Sequence, residues 1–254
     1  MICWHGLTRN SRDFDDLAKA LSSNGKRVIC PDTAGRGRSD WLPDASLYGY
    51  PQYLRDAATV IGWAGAKQVD WVGTSMGGLI GMMLSATPGA PIRSLTINDV
   101  GPLVPAPALN RIADYVATDY LFADLKALED HLRDIHAPFG NLSDAQWAHL
   151  AEHSHRVVEG GVKLAYDPAI GDAFKDGFSE DVDLWAVWDM IRTPALVLRG
   201  AESDLLRQAD AQAMTTRGPK ARLVEFQGCG HAPALMDMDQ INTISDFLNS
   251  PATS

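Results

Sequence analysis

Short apolar runs alternate along the chain with longer stretches of helical period. The runs Ile2–Trp4, Arg27–Cys30, Val69–Gly73, Ser94–Asn98, Ala195–Arg199 and Arg222–Phe226 predict strands. Several are apolar at nearly every residue, as in Ala195-Leu196-Val197-Leu198, which is the pattern of a strand buried on both faces of a parallel sheet. Between them, Phe14, Leu17, Ala18 and Leu21 repeat at helical spacing behind the cap-type residues Ser11 and Asp13. Further helical patterns run from Tyr53 to Trp63 behind Pro51, from Ser75 to Ser85 before Pro88, from Gln208 to Arg217 and from Met238 to Leu248. Strand and helix in alternation predict an α/β fold, a mostly parallel central sheet with helices on both faces.

One stretch interrupts the alternation. From Gly101 to Met190 the pattern is helical, opening on Pro102, Pro105 and Pro107. This predicts an all-helical cap over 101–190, inserted into a core made of 1–100 and 191–254. The cap carries Trp147, Trp185, Trp188, Phe174 and Phe178, and five of the seven histidines (His131, His136, His149, His153 and His155). The three tryptophans are candidates for lining a substrate pocket, and the five histidines read as surface or core residues.

Composition narrows the function. Asp and Glu number 32 against 22 Lys and Arg, a net charge of −10, which disfavours nucleic acid and anionic membranes as partners. Cys3, Cys30 and Cys229 are odd in number and scattered, as in reduced thiols of a cytoplasmic protein, without zinc-type pairing. No apolar run is long enough to span a bilayer. Gly35-x-Gly37 lacks the third glycine and the acidic residue of a dinucleotide site. Glu152-His153-Ser154-His155 lacks a His-Glu-x-x-His spacing, so neither metal nor cofactor is expected. Arg36 and Arg38 read as solvated loop charges.

The chemistry lies in Gly73-Thr74-Ser75-Met76-Gly77. It falls where a predicted strand meets a predicted helix, the context a G-x-S-x-G nucleophile elbow requires. The serine must stand on a tight turn, and side chains two residues either side would crowd it. A serine nucleophile needs a base, and the base an orienting acid, in chain order Ser, Asp or Glu, His. His231, in Gly228-Cys229-Gly230-His231-Ala232-Pro233 after the last strand, is the expected base. Asp204, 27 residues earlier, is the expected acid; Glu202 is a weaker candidate and Asp99, after Ser94–Asn98, is the rival. The backbone amides of Met76 and Leu7 are the expected oxyanion donors, Gly6 allowing close approach. His5 reads as a structural hydrogen-bonder.

These residues resemble the α/β-hydrolase superfamily, in its branch with a helical cap. His5-Gly6-Leu7 is similar to that family's oxyanion loop, Asp32-Thr33-Ala34-Gly35-Arg36-Gly37-Arg38-Ser39 to its glycine-rich loop, Gly73 to Gly78 to its elbow and Gly230-His231 to its histidine loop. The likeness is greatest to small bacterial carboxylesterases, relatives of enol-lactonases and of C–C bond hydrolases. It implies a cytoplasmic serine esterase acting on small-molecule esters. In the family two edge strands usually precede the His-Gly loop, whereas four residues precede His5 here. On that reading Arg27–Cys30 is an exposed sheet edge, and a homodimer is an expectation. A C–C or enol-lactone hydrolase with the same triad is the second reading, in which Arg9-Asn10 would receive a substrate carboxylate. Against it, Ala232-Pro233 follows the histidine where the C–C cleaving relatives carry a tryptophan. A slow-turnover ligand sensor is the third reading.

Overall fold

A computed structural model describes residues 1–116 and 118–250. In chain order the strands are β1 (Ile2–Trp4), β2 (Val69–Thr74), β3 (Ile92–Asn98), β4 (Leu103–Val104), β5 (His155–Val158), β6 (Gly161–Leu164), β7 (Val182–Asp183), β8 (Ala195–Gly200) and β9 (Arg222–Phe226). The α-helices are α1 (Asp15–Ser23), α2 (Tyr50–Ala64), α3 (Met76–Ala86), α4 (Ala106–Val116), α5 (Leu125–Ile135), α6 (Asp144–His153), α7 (Trp185–Met190), α8 (Gln208–Met214) and α9 (Met238–Asn249).

The central sheet has the order β1-β2-β3-β8-β9, and every pairing in it is parallel. Successive residues point to opposite faces, as strand geometry demands. Ile2, Trp4, Trp71, Ile97 and Val197 join one core cluster with residues of α2, α3 and α7. Cys3, Val72, Leu196 and Leu198 join another, with residues of α1 and α9. Both faces of the sheet are thus covered, which explains the unbroken apolar runs. Trp4 stacks on Trp71 with ring centroids 5.3 Å apart.

Two expectations need correction. Arg27–Cys30 does not form a full strand: Ile29 alone makes a parallel bridge to Ile2, with Ile29 N donating to Met1 O and Cys3 N to Ile29 O. Pro31 follows at once and has no N–H with which to continue the ladder. Nor is 101–190 all helical. It holds the antiparallel hairpin β5–β6 and the short antiparallel pair β4–β7 besides its helices. The hairpin pairs further with Phe122, and residues just after it bond the glycine-rich loop, Gly37 N donating to Ala165 O and Asp167 N to Gly35 O. The insertion is therefore tied to the core through backbone hydrogen bonds.

Candidate active site

Ser75 sits between β2 and α3 at φ 51°, ψ −115°, a strained conformation for a residue with a side chain. The flanking glycines follow from sterics. A Cβ on Gly77 would lie 2.1 Å from the Trp4 carbonyl oxygen, and one on Gly73 would lie 2.2 Å from that of Gly77. The turn closes only because both are absent.

His231 lies on the loop after β9. Its Nε2 is 3.0 Å from Ser75 Oγ and its Nδ1 is 2.9 Å from Asp99 Oδ2. Asp99 directly follows β3 and is fully buried at φ 56°. Its carboxylate also accepts from Gly200 N at 2.8 Å and from Ser203 Oγ at 2.5 Å. Ser203 Oγ in turn accepts from Leu206 N at 3.0 Å. Such a row can take a proton from the serine onto the imidazole and balance the resulting positive charge.

The carboxylate that meets His231 is thus that of Asp99, not that of the expected Asp204. Asp204 is instead in an ion pair with Arg111, Nε–Oδ2 2.7 Å, with side chains 51% and 41% exposed. Glu202 makes no hydrogen bond or ion pair with the histidine; its backbone N–H bonds Cys229 O. Ser203 between them does serve the site, by orienting the Asp99 carboxylate. Neither a glycine nor a spacing marks Ser203 in the sequence.

Met76 opens α3, so its N–H lies outside the helical ladder. Leu7 N–H has no partner among the described residues, and both residues line the cavity above Ser75. The loop carrying Leu7 is held from two sides. His5 is buried; its Nε2 accepts from Thr33 N at 2.9 Å, so Nδ1 carries the proton and donates to Gly6 O at 2.7 Å. Burial lowers the His5 pKa to about 4, which keeps it neutral. Arg36 is not solvated but fully buried. It donates through Nε to Leu7 O (2.8 Å) and through Nη1 to Ala34 O (2.8 Å) and Tyr53 Oη (3.0 Å). Its guanidinium also faces the rings of Tyr48 and Tyr53, a favourable cation–π placement.

The cavity over Ser75 has a volume of about 360 Å³. Its walls are apolar and aromatic: Leu79, Met83 and Val100 from the elements around the sheet, Ile112, Phe174 and Phe178 from the stretch 101–190, and Tyr48, Tyr50 and Tyr53. The tryptophans expected there lie elsewhere. Trp147 packs with Leu150 and Met236 in a separate cluster. Trp188 is fully buried and donates to Arg217 O, while Trp185 lies against the Arg217 guanidinium. Each fills a joint between elements rather than the cavity. Arg9 and Asn10 are also engaged otherwise. The Arg9 guanidinium is paired with Asp13, Nη2–Oδ1 2.7 Å, and Asn10 accepts from Arg12 N while donating to His153 O at 2.9 Å. Neither lines the cavity.

One group among the described residues offers metal-type ligands: Asp15, His149 and His153 place ligand atoms within 4.8 Å of one another. It lies apart from Ser75, and its carboxylate is already paired with Arg12. No described helix is long and apolar enough to cross a membrane.

Residues 1–243 match the alpha/beta hydrolase family. A 3-hydroxybutyrate-oligomer hydrolase of Cupriavidus necator is 41% identical over 256 residues, covering 97% of this chain and 87% of that protein. A crystal structure from Rickettsia typhi superimposes with a TM-score of 0.92 at 36% identity, covering 99% of this chain and 86% of the other. An alpha/beta hydrolase from Novosphingobium aromaticivorans gives 0.87 at 35% identity, covering 97% and 88%. With this strand order, this turn at Ser75 and these relatives, the chain belongs to the alpha/beta hydrolase family and is a hydrolase.

Proposed function

We propose that the protein is a serine carboxylesterase for small, oxygen-bearing esters, working through an acyl-enzyme on Ser75. The observation that carries this is the row Ser75–His231–Asp99 at the floor of an apolar cavity. Ser75 Oγ attacks the ester carbonyl carbon as His231 Nε2 takes its proton. The oxyanion is held by the N–H groups of Leu7 and Met76. The C–O bond to the alcohol breaks and His231 returns the proton to the departing oxygen. Water, deprotonated by His231, then releases the acid and restores Ser75. Asp99 holds the imidazole in the tautomer that presents Nε2 to the serine.

The similarity to a 3-hydroxybutyrate-oligomer hydrolase supports an oligoester of a short hydroxy acid as substrate. The cavity lining argues against the C–C and enol-lactone readings. Those substrates carry a carboxylate, no charged side chain is among the described lining residues, and an unpaired buried carboxylate is costly.

The test is hydrolysis of p-nitrophenyl butyrate and of a 3-hydroxybutyrate trimer. Wild type should turn over both, and Ser75→Ala should lose about four or more orders of magnitude in kcat while its Tm holds. A serine-directed phosphonate should label Ser75 alone. Retention of tens of per cent of the rate in Ser75→Ala would overturn the assignment.

A further inference from the structure

The polar atoms facing the cavity can be accounted for one by one. Ser75 Oγ is engaged by His231. The Tyr48 hydroxyl donates to Asp167 Oδ2 at 2.7 Å and accepts from Leu42 N at 2.8 Å. The Tyr53 hydroxyl accepts from Arg36 Nη1. Tyr50 lines the same cavity, and its hydroxyl has no hydrogen-bond partner among the described residues. Tyr50 is half-buried, and a phenol without a protein partner is free to bond an oxygen of a ligand that fills the cavity.

Tyr50 is also held in place. It is the first residue of α2, between Gly49 and Pro51, and its ring meets the Tyr53 ring edge-on with centroids 6.2 Å apart. Tyr53 is itself buried and fixed by Arg36. Burial raises the Tyr50 pKa, so the phenol stays protonated and offers an O–H. A fixed donor in an otherwise apolar wall reads one oxygen at one place in the ligand.

Building on the esterase reading, we propose that Tyr50 is a specificity residue whose hydroxyl binds a hydroxyl group on the substrate's acyl chain. The site then favours hydroxyacyl esters over plain alkanoyl esters of the same length. It also sets the direction in which an oligoester lies. With no charged side chain in the described lining, the chain's carboxylate end stays outside and its free hydroxyl end goes in. Units are then released from the hydroxyl terminus. Each release is an ordinary ester hydrolysis, with water supplying OH to the acyl carbon and H to the departing alcohol oxygen.

The experiment compares kcat/KM for p-nitrophenyl 3-hydroxybutyrate and p-nitrophenyl butyrate in wild type, Tyr50→Phe and Tyr53→Phe. Wild type should favour the hydroxyacyl ester by roughly tenfold or more, the scale of one buried hydrogen bond left unmade in the analogue. Tyr50→Phe should bring the ratio near one, and Tyr53→Phe should leave the preference in place. A 3-hydroxybutyrate dimer capped with a plain butyryl unit, which lacks the terminal hydroxyl oxygen, should be a poorer substrate than the trimer for wild type but not for Tyr50→Phe. A wild-type ratio near one, or a ratio that Tyr50→Phe does not move, overturns the proposal while leaving Ser75-dependent ester hydrolysis intact. Absence of turnover on both p-nitrophenyl esters overturns the esterase reading and this proposal together.

Discussion

Asn98 Nδ2 donates to the carbonyl oxygen of Pro233 at 2.8 Å, so the end of β3 is tied to the loop that carries His231. The same amide reaches Thr74 Oγ1 at 3.1 Å, next to Ser75, and Asp99 follows in the chain. One buried side chain thus touches the turn, the acid strand and the histidine loop. Asn98→Ala should lower kcat about 10- to 100-fold with KM changed far less, because a small displacement of the base is felt in the transition state more than in binding. Steady-state kinetics on p-nitrophenyl butyrate, with Tm measured alongside, checks this. A change confined to KM would mean the tie does not position His231.

Asp99→Asn should cost about 10⁴ in kcat, since the amide supports the wrong imidazole tautomer. Asp204→Asn should change kcat by no more than a few-fold, because it breaks only an exposed ion pair, which is worth little. Ser203→Ala removes a donor to a buried carboxylate and should fall between, at about 10- to 100-fold. The ranking of the three variants is the readout. A larger loss at Asp204 than at Asp99 would refute the geometry.

Stability should fall with acid. Burial lowers the pKa of His5 to about 4 and that of His136 well below its ordinary value, with Arg9 adding to the effect at His136. The unfolded chain takes up a proton at each near pH 6.5 while the folded chain does not. This contribution is therefore intact above pH 6.5 and is lost as pH falls toward 4. It changes by at most about 1.4 kcal/mol per pH unit for each group. Below pH 4 the His5 part levels off, since both states are then protonated. Urea midpoints at pH 7.5, 6 and 4.5 measure the slope, and His136→Gln should flatten it. Equal slopes in the two proteins would exclude His136 as a source.

The cavity of about 360 Å³ is lined from the stretch 101–190 by Ile112, Phe174 and Phe178, among others. Across p-nitrophenyl esters from acetate to palmitate, kcat/KM should peak between about two and six acyl carbons and fall beyond about ten, as added methylenes meet filled space. Phe178→Ala should move the peak toward longer chains. A maximum at palmitate in wild type would mean that the cap opens.

The central sheet was legible because parallel strands buried on both faces are written as unbroken apolar runs. The elbow was legible because two close backbone approaches exclude a Cβ at Gly73 and Gly77, and His231 because it follows the last strand in a glycine-rich loop. The acid was not, because nothing in the local chain around Asp99 announces its backbone turn at φ 56°. Asp204 and Asp99 both follow strands, and only the loop paths decide which carboxylate meets the imidazole. The hairpin β5–β6 did leave a signal, Gly160-Gly161 between Val157-Val158 and Val162, with positive φ at both glycines. Helical patterns on either side mask it. The cap tryptophans were misplaced because an apolar side chain carries no mark of whether it faces a neighbour or a void.

That His231 meets Asp99 rather than Asp204 changes how the molecule can be taken apart. Ser75 and Asp99 now both precede 101–190, and His231 alone follows it. Ser75 and Asp99 follow neighbouring strands joined by α3, so their spacing does not depend on what is inserted after Val100. The insertion should then be exchangeable, provided its replacement renews the backbone bonds to the glycine-rich loop made here by Ala165 and Asp167. A graft of another family member's cap between Val100 and Ile191 should inherit the donor's substrate range on a reaction centre that this chain already holds together.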